Sequence, residues 1–200
     1  MNTEPIIRIA TVQDAPALRE IYLPYVRTTA VTFEIDDPSE EEFARRITHT
    51  LSAYPYLVAE ANGEILGYAY ASAFRPRAAY RHAAETSIYV RMDYKGNGLG
   101  KRLYEALACV LALQNVYTME ACIAHADPPD EFVPATSRAF HERRGFTQAA
   151  LFRKCAHKFG RWYDMIWMER VIAERPDVPE PFAPFPTLDP ARVTTLLATA

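Results

Sequence analysis

The chain has only seven glycines in 200 residues, against fifteen prolines. It has no excess of one charge, with a formal net charge of -3. Phosphates are neutralised by a basic surface, so this balance removes the main reason to expect sequence-independent nucleic-acid binding, local basic patches aside. No run of about 18 apolar residues exists, and MNTEPIIRIA lacks a charged segment followed by a long apolar one. Neither a membrane span nor a secretory leader is expected, and the chain is read as cytoplasmic. Cys109, Cys122 and Cys155 are odd in number, widely spaced and without a CxxC pair. That pattern argues against a disulfide framework and a cysteine metal site, so no metal is expected.

Half the residues are hydrophobic and 12% aromatic, enough to offset the ordering entropy of a sizeable core. Composition changes near Ala173, where ERPDVPEPFAPFPTLDP gathers six prolines. Residues 173–200 are therefore read as an extended tail, with Asp189 and Pro190 opening a short terminal helix. Phe182, Phe185, Leu196 and Leu197 are expected to pack on the body or on a second subunit.

Residues 1–172 alternate strand and helix signals. Ile6, Ile7 and Ile9 mark a strand, and Thr11 with Asp14 opens a helix. Ser39 caps a second helix whose stripe is Phe43, Ile47 and Leu51. Asn62-Gly63 joins two antiparallel strands. ETSIYVR (residues 85–91) is a further strand, running through a glycine loop into a helix with Leu99, Leu103, Leu107, Val110 and Leu111 on one face. A strand at 119–124, a helix at SRAFHERR ended by Gly145, and a last strand at RWYDMIWMERV complete an α/β chain with a mixed sheet.

Three of the seven glycines stand in Lys95-Gly96-Asn97-Gly98-Leu99-Gly100-Lys101. A loop between strand and helix offers amides and the positive end of the helix dipole to an anion. The P-loop pattern fails because Lys95 and Arg102 stand where Gly and Ser or Thr are needed, and GxGxxG fails because the spacing is GxGxG. The loop resembles the R/Q-x-x-G-x-G/A pyrophosphate loop of the GNAT acetyltransferase superfamily, with Lys95 in the place of Arg or Gln. TFEIDDPS (32–39), FRPRAAYRHAAETSIYV (74–90), FHERRGF (140–146) and KFGRWYD (158–164) stand in the order found in acetyltransferases resembling phosphinothricin acetyltransferase. The resemblance covers about residues 6–171.

The resemblance implies a GNAT fold, with a mixed, mostly antiparallel central sheet flanked by helices and splayed central strands that bind acetyl-CoA. It implies transfer of an acetyl group to a small amino-acid-like amine by direct attack in a ternary complex, and a homodimer. Lys95, Gly96, Asn97, Gly98, Leu99, Gly100 and Lys101 would hold the pyrophosphate, with Arg102 adding charge, and the backbone of Ile88, Tyr89 and Val90 would line the pantetheine arm. Glu85 is the candidate base, or else the partner of Arg75, Arg77 or Arg81. His141 is a candidate acid, or else a structural histidine. Ser137 stands in an N-x-x-S contact to coenzyme A, but Pro134 replaces the Asn and HADPPDEFVPAT precedes it like an insertion. Arg75 and Arg77 suit a carboxylate, with Thr32, Phe33 and Tyr80 completing the acceptor pocket. KFGRWYD resembles a segment near the active site and dimer interface, so Lys158 and Trp162 are candidates to touch substrate, or else serve strand packing or the surface. A cysteine route through Cys122 lacks a His-Asp arrangement. Polyamine, aminoglycoside or protein amines would instead favour an acidic pocket, and an acetyl-CoA-binding sensor without transfer is the alternative reading from another class.

Overall fold

The computed structural model describes residues 4–199. Among these, seven strands form one sheet in the order β1-β2-β3-β4-β5-β7-β6. The strands are β1 (Ile6–Ile9), β2 (Tyr56–Ala61), β3 (Glu64–Ala73), β4 (Ala83–Val90), β5 (Thr118–His125), β6 (Thr147–Lys158) and β7 (Arg161–Val171). Pairing is antiparallel except between β4 and β5, which run parallel. The strong hairpin signal at Asn62-Gly63 forms as read: both residues have positive φ, 53° and 81°, which matches the right-handed twist of the flanking strands.

Helices cover both faces. On one, α1 (Ala15–Thr28) and α2 (Glu40–Leu51) bury Leu18, Tyr22, Phe43 and Ile47 against Tyr56, Val58 and Tyr68. Ser39 caps α2 by accepting from the Glu42 amide at 3.2 Å. Thr11 and Asp14 form the expected capping box, but at the start of a 3-10 turn rather than of the α-helix itself. The Thr11 hydroxyl and amide both donate to the Asp14 carboxylate, and the α-helix starts at Ala15. On the other face, α3 (Leu99–Leu113) buries Leu99, Leu103, Leu107, Val110 and Leu111 against Ala69, Ala71, Met119 and Ile166. Gly67 on β3 is explained by close approach. A Cβ there would sit 3.0 Å from the Tyr89 carbonyl oxygen and 3.2 Å from Val90 Cγ2.

The tail runs across the α3 face. Asp189 accepts from the Ala191 amide at 3.0 Å and opens α5 (Pro190–Ala198), which buries Val193 and Leu197. Phe182, Phe185, Leu188 and Leu196 pack on the same core, and the Phe182 ring lies 5.2 Å from Tyr54. With Pro supplying no donors, the remaining amides of Ala183 and Phe185 bond to the Gln114 and Ala53 carbonyls at 3.0 and 2.9 Å. The buried Gln114 amide donates to the Ala53 and Ala183 carbonyls, tying strap to body.

Candidate active site

The pairing of β4 with β5 stops early. Ala83, Ala84 and Glu85 pair with Thr118, Met119 and Glu120, whereas β4 stays paired to β3 as far as Val90. The two central strands therefore part after Glu85, and the Thr86 hydroxyl, bonded to the Glu120 carbonyl at 3.0 Å, marks the fork. Ile88, Tyr89 and Val90 lie on the free side of that fork. A backbone edge without a strand partner has N–H and C=O groups to offer an extended ligand. The Val90 carbonyl already accepts from the Tyr25 hydroxyl at 2.6 Å, which fixes this end of β4 against α1.

The wedge leads to the glycine loop. Gly96 and Gly98 have φ of 88° and 79°, and Gly98 is the residue from which α3 starts. Helix geometry leaves the amides of Leu99 and Gly100 without intrahelical acceptors. Gly100 has a packing reason as well: a Cβ would meet the Phe140 ring at 3.1 Å. This contact brings α4 (Thr136–Arg143), with Ser137 in its first turn, beside the loop. An open fork ending at uncommitted helix amides fits the extended arm and pyrophosphate of acetyl-CoA. Lys95 is held 4.5 Å above the Tyr25 ring, where burial lowers its pKa, and Arg102 pairs with Glu4 at 3.2 Å.

His141 is only 5% exposed. Its Nδ1 lies 2.8 Å from the Ser137 carbonyl, an acceptor, so Nδ1 carries the hydrogen and Nε2 accepts from the Tyr104 hydroxyl at 3.0 Å. Burial pushes its pKa down to about 4, which leaves the ring neutral at pH 7. The Tyr104 hydroxyl also lies beside Thr86 at the fork. Tyr104 is a site residue that the sequence conceals, because it sits in the apolar stripe of α3 like any core aromatic.

On the opposite face of the sheet, Glu85 is half-buried, and burial raises its carboxyl pKa while Arg75 opposes the rise. Arg75 stacks 4.3 Å from the Phe74 ring and 5.0 Å from Trp167, with Tyr80 6.0 Å from Phe74. Arg77 is exposed. Cys122 lies against Met165 on this face. Its thiol is pushed up to about 12 by burial, so it stays protonated and is a poor nucleophile.

The acceptor candidates Thr32 and Phe33 gather elsewhere on the same side. Thr32 shares a 2.6 Å hydrogen bond with Tyr22, and its carbonyl accepts from the buried Lys158 ammonium at 2.9 Å. The insertion-like stretch closes over them. The Ala30 amide bonds to the Phe132 carbonyl at 3.0 Å, and Val133 buries with Ala30, Ala124 and Tyr163. Phe132 stacks 4.6 Å from Phe159 in the β6–β7 turn, while Trp162 is 62% exposed. Among the described residues no group of three His, Cys, Asp or Glu is placed to hold a metal, and no helix is long and apolar enough to cross a membrane.

Residues 7–167 match the acetyltransferase (GNAT) domain. The chain is 37% identical over 167 residues to a phosphinothricin N-acetyltransferase of Alcaligenes faecalis, covering 83% of this chain and 82% of that one. It is 36% identical over 165 residues to an L-methionine sulfoximine/L-methionine sulfone acetyltransferase of Pseudomonas aeruginosa, covering 82% and 92%. A crystal structure of a phosphinothricin acetyltransferase from Sinorhizobium meliloti in complex with acetyl-CoA superposes with a TM-score of 0.78 at 32% identity, covering 92% of this chain and 99% of that one. The forked central strands, the glycine loop at the start of α3 and these likenesses agree, and the chain belongs to the GNAT acetyltransferase family.

Proposed function

We propose that this acetyltransferase acetylates the α-amine of a small amino acid with a tetrahedral polar tip, of the phosphinothricin, methionine sulfone or methionine sulfoximine type. The observation that carries the reading is the half-buried Glu85 beside Arg75, at the point where β4 and β5 part. Acetyl-CoA supplies the acyl group as a thioester. Glu85 takes a proton from the substrate ammonium, and burial suits it by strengthening an otherwise weak base. Arg75 and Arg77 hold the substrate carboxylate, and Thr32, Phe33 and Tyr80 shape the space around its side chain.

Ile88, Tyr89 and Val90 align the pantetheine arm through their backbone. Lys95, Gly96, Asn97, Gly98, Leu99, Gly100, Lys101 and Ser137 hold the phosphate end. The Tyr104 hydroxyl, nearer the fork and held by the neutral His141, turns its hydrogen to the departing sulfur and is reprotonated from solvent. Residues 1–172 form the family body, 173–200 are the strap laid across it, and the working unit is a cytoplasmic homodimer. A sensor without transfer is not favoured, because the named relatives are N-acetyltransferases.

The test is release of coenzyme A from acetyl-CoA in the presence of an amine panel. Amino-acid analogues with a tetrahedral tip are expected to be acetylated, while spermidine and aminoglycosides are not, since the arginines repel polycations. Tight acetyl-CoA binding with no acetylated product from any amine would overturn the reading.

A further inference from the structure

Glu120 has no part in the scheme above, yet it is the most conspicuous charged group near the fork. It is 8% exposed on β5, a central strand. Its Cα is in register with Glu85 on β4 and with Glu169 on β7, and register partners project from the same sheet face. Three carboxyl groups thus stand side by side, with Glu120 in the middle and the candidate base as its neighbour. Among the described residues, neither Glu85 nor Glu120 has a hydrogen bond or ion pair through its carboxyl. Carboxylates standing side by side on one strand register repel one another, and the repulsion is relieved when one of them takes up a proton.

The groups facing Glu120 are Glu85 from β4, Glu169 from β7, Arg75 from the connection between β3 and β4, and Arg175 from the strap. Arg175 is drawn aside by a 2.8 Å bond to the Thr118 hydroxyl, and Arg75 by its bond to the Phe74 carbonyl at 2.7 Å.

We propose that Glu120 is a positioning residue for the transfer reaction: standing beside Glu85 across β4 and β5, its carboxylate makes the first proton taken up by the ionised pair bind more tightly and so raises the basicity of Glu85. Burial and the adjacent Glu169 push Glu120 up to about 7, and Glu85 adds to the rise. The two groups titrate as a unit. The inference rests on Glu85 being the base. The substrate ammonium gives one proton to the pair, and its freed lone pair forms the C–N bond as the C–S bond breaks. The thiolate takes a proton to leave as the thiol, and the pair returns the proton it took from the ammonium to solvent.

The experiment compares wild type with Glu120→Gln, which keeps the shape and removes the charge. The acidic limb of kcat/KM is expected to move down by about one pH unit with the same substrate, while acetyl-CoA affinity stays unchanged. Glu120→Asp, which restores a carboxylate, should return the limb toward its wild-type position. A direct readout is the infrared band of a protonated carboxyl near pH 6, present in wild type and lost in Glu120→Gln.

A Glu120→Gln enzyme with the wild-type limb and an unaltered infrared band would overturn the proposal. Loss of turnover in Glu85→Gln together with that result leaves Glu85 as base and removes Glu120 alone. Full turnover in Glu85→Gln would remove the base itself and this inference with it. Should Glu120→Gln fail to fold, Glu120→Asp and the infrared titration of wild type decide: no protonated band between pH 6 and 7 sinks the idea.

Discussion

A histidine enclosed on all sides, with Nδ1 giving its hydrogen to Ser137 and Nε2 accepting from Tyr104, serves the fold best when uncharged. In the unfolded chain His141 takes up a proton below about pH 6.5, but in the folded protein only near pH 4. Between those values the unfolded state binds more protons, so stability falls as pH falls. This group alone is expected to remove about 2 kcal/mol between pH 7 and pH 5, which urea unfolding of wild type against His141→Gln would reveal as a shallower slope in the variant. Cys122→Ala should keep wild-type turnover, because a thiol held protonated does not carry the acetyl group. At this scale the sequence was informative where a motif repeats a known pattern, as at Glu85 and Gly98. It was silent where chemistry hides in a core position, as with Tyr104. Glu120 left one faint signal, a charge at the second position of the otherwise apolar run MEACIA.

The elements that came through clearly are helices α2 and α3, each with one buried stripe, and the central strands β2, β3 and β5, whose apolar runs match burial on both faces. Strand β6 shows no such pattern: nearly all of its twelve residues are exposed or half-exposed, so TQAALFRKCAHK has neither alternation nor an apolar run. It exists because β7 offers it an edge, which is a tertiary cause, and its hairpin turn at Phe159-Gly160, with φ of 51° and 72°, lacks the usual Asn-Gly pair. The fork after Glu85 is equally invisible from composition and entered only through resemblance. The strap was legible as proline-rich, and its hydrophobes dock as their sequence implied. Truncation after Ala173 uncovers the seats of Val193 and Leu197, and each buried aliphatic side chain contributes about 1.5–3 kcal/mol. A fall in melting temperature of roughly 10 °C or more is expected by calorimetry. An unchanged transition would mean that the strap's burial contributes nothing to the body.

The whole molecule leaves one long strand at its rim. Phe152 is 47% exposed, Leu151 37% and the neighbouring Trp162 62%, so the β6–β7 end shows water an apolar surface that the rest of the sheet buries. Edge strands with such surfaces invite pairing. Two features oppose open-ended strand addition. The register of β6 against β7 breaks between Phe152 and Ala156, and Lys154 within that break has φ of 47° with its amide turned to Asp164 at 2.7 Å. A bulge of this kind bends the edge and interrupts a continuous ladder. Side-chain burial around a two-fold axis remains, and it closes after two copies. The chain is therefore expected to sediment at twice its 22.7 kDa, and Phe152→Lys combined with Trp162→Lys should halve that mass without altering the far-ultraviolet circular dichroism. Because the Trp162 turn adjoins the Phe132–Phe159 wall over Thr32, the same double variant should raise KM for the amine more than KM for acetyl-CoA. A wild type that sediments as a single copy at assay concentration would remove the interface, and with it the expected coupling between assembly and acceptor binding.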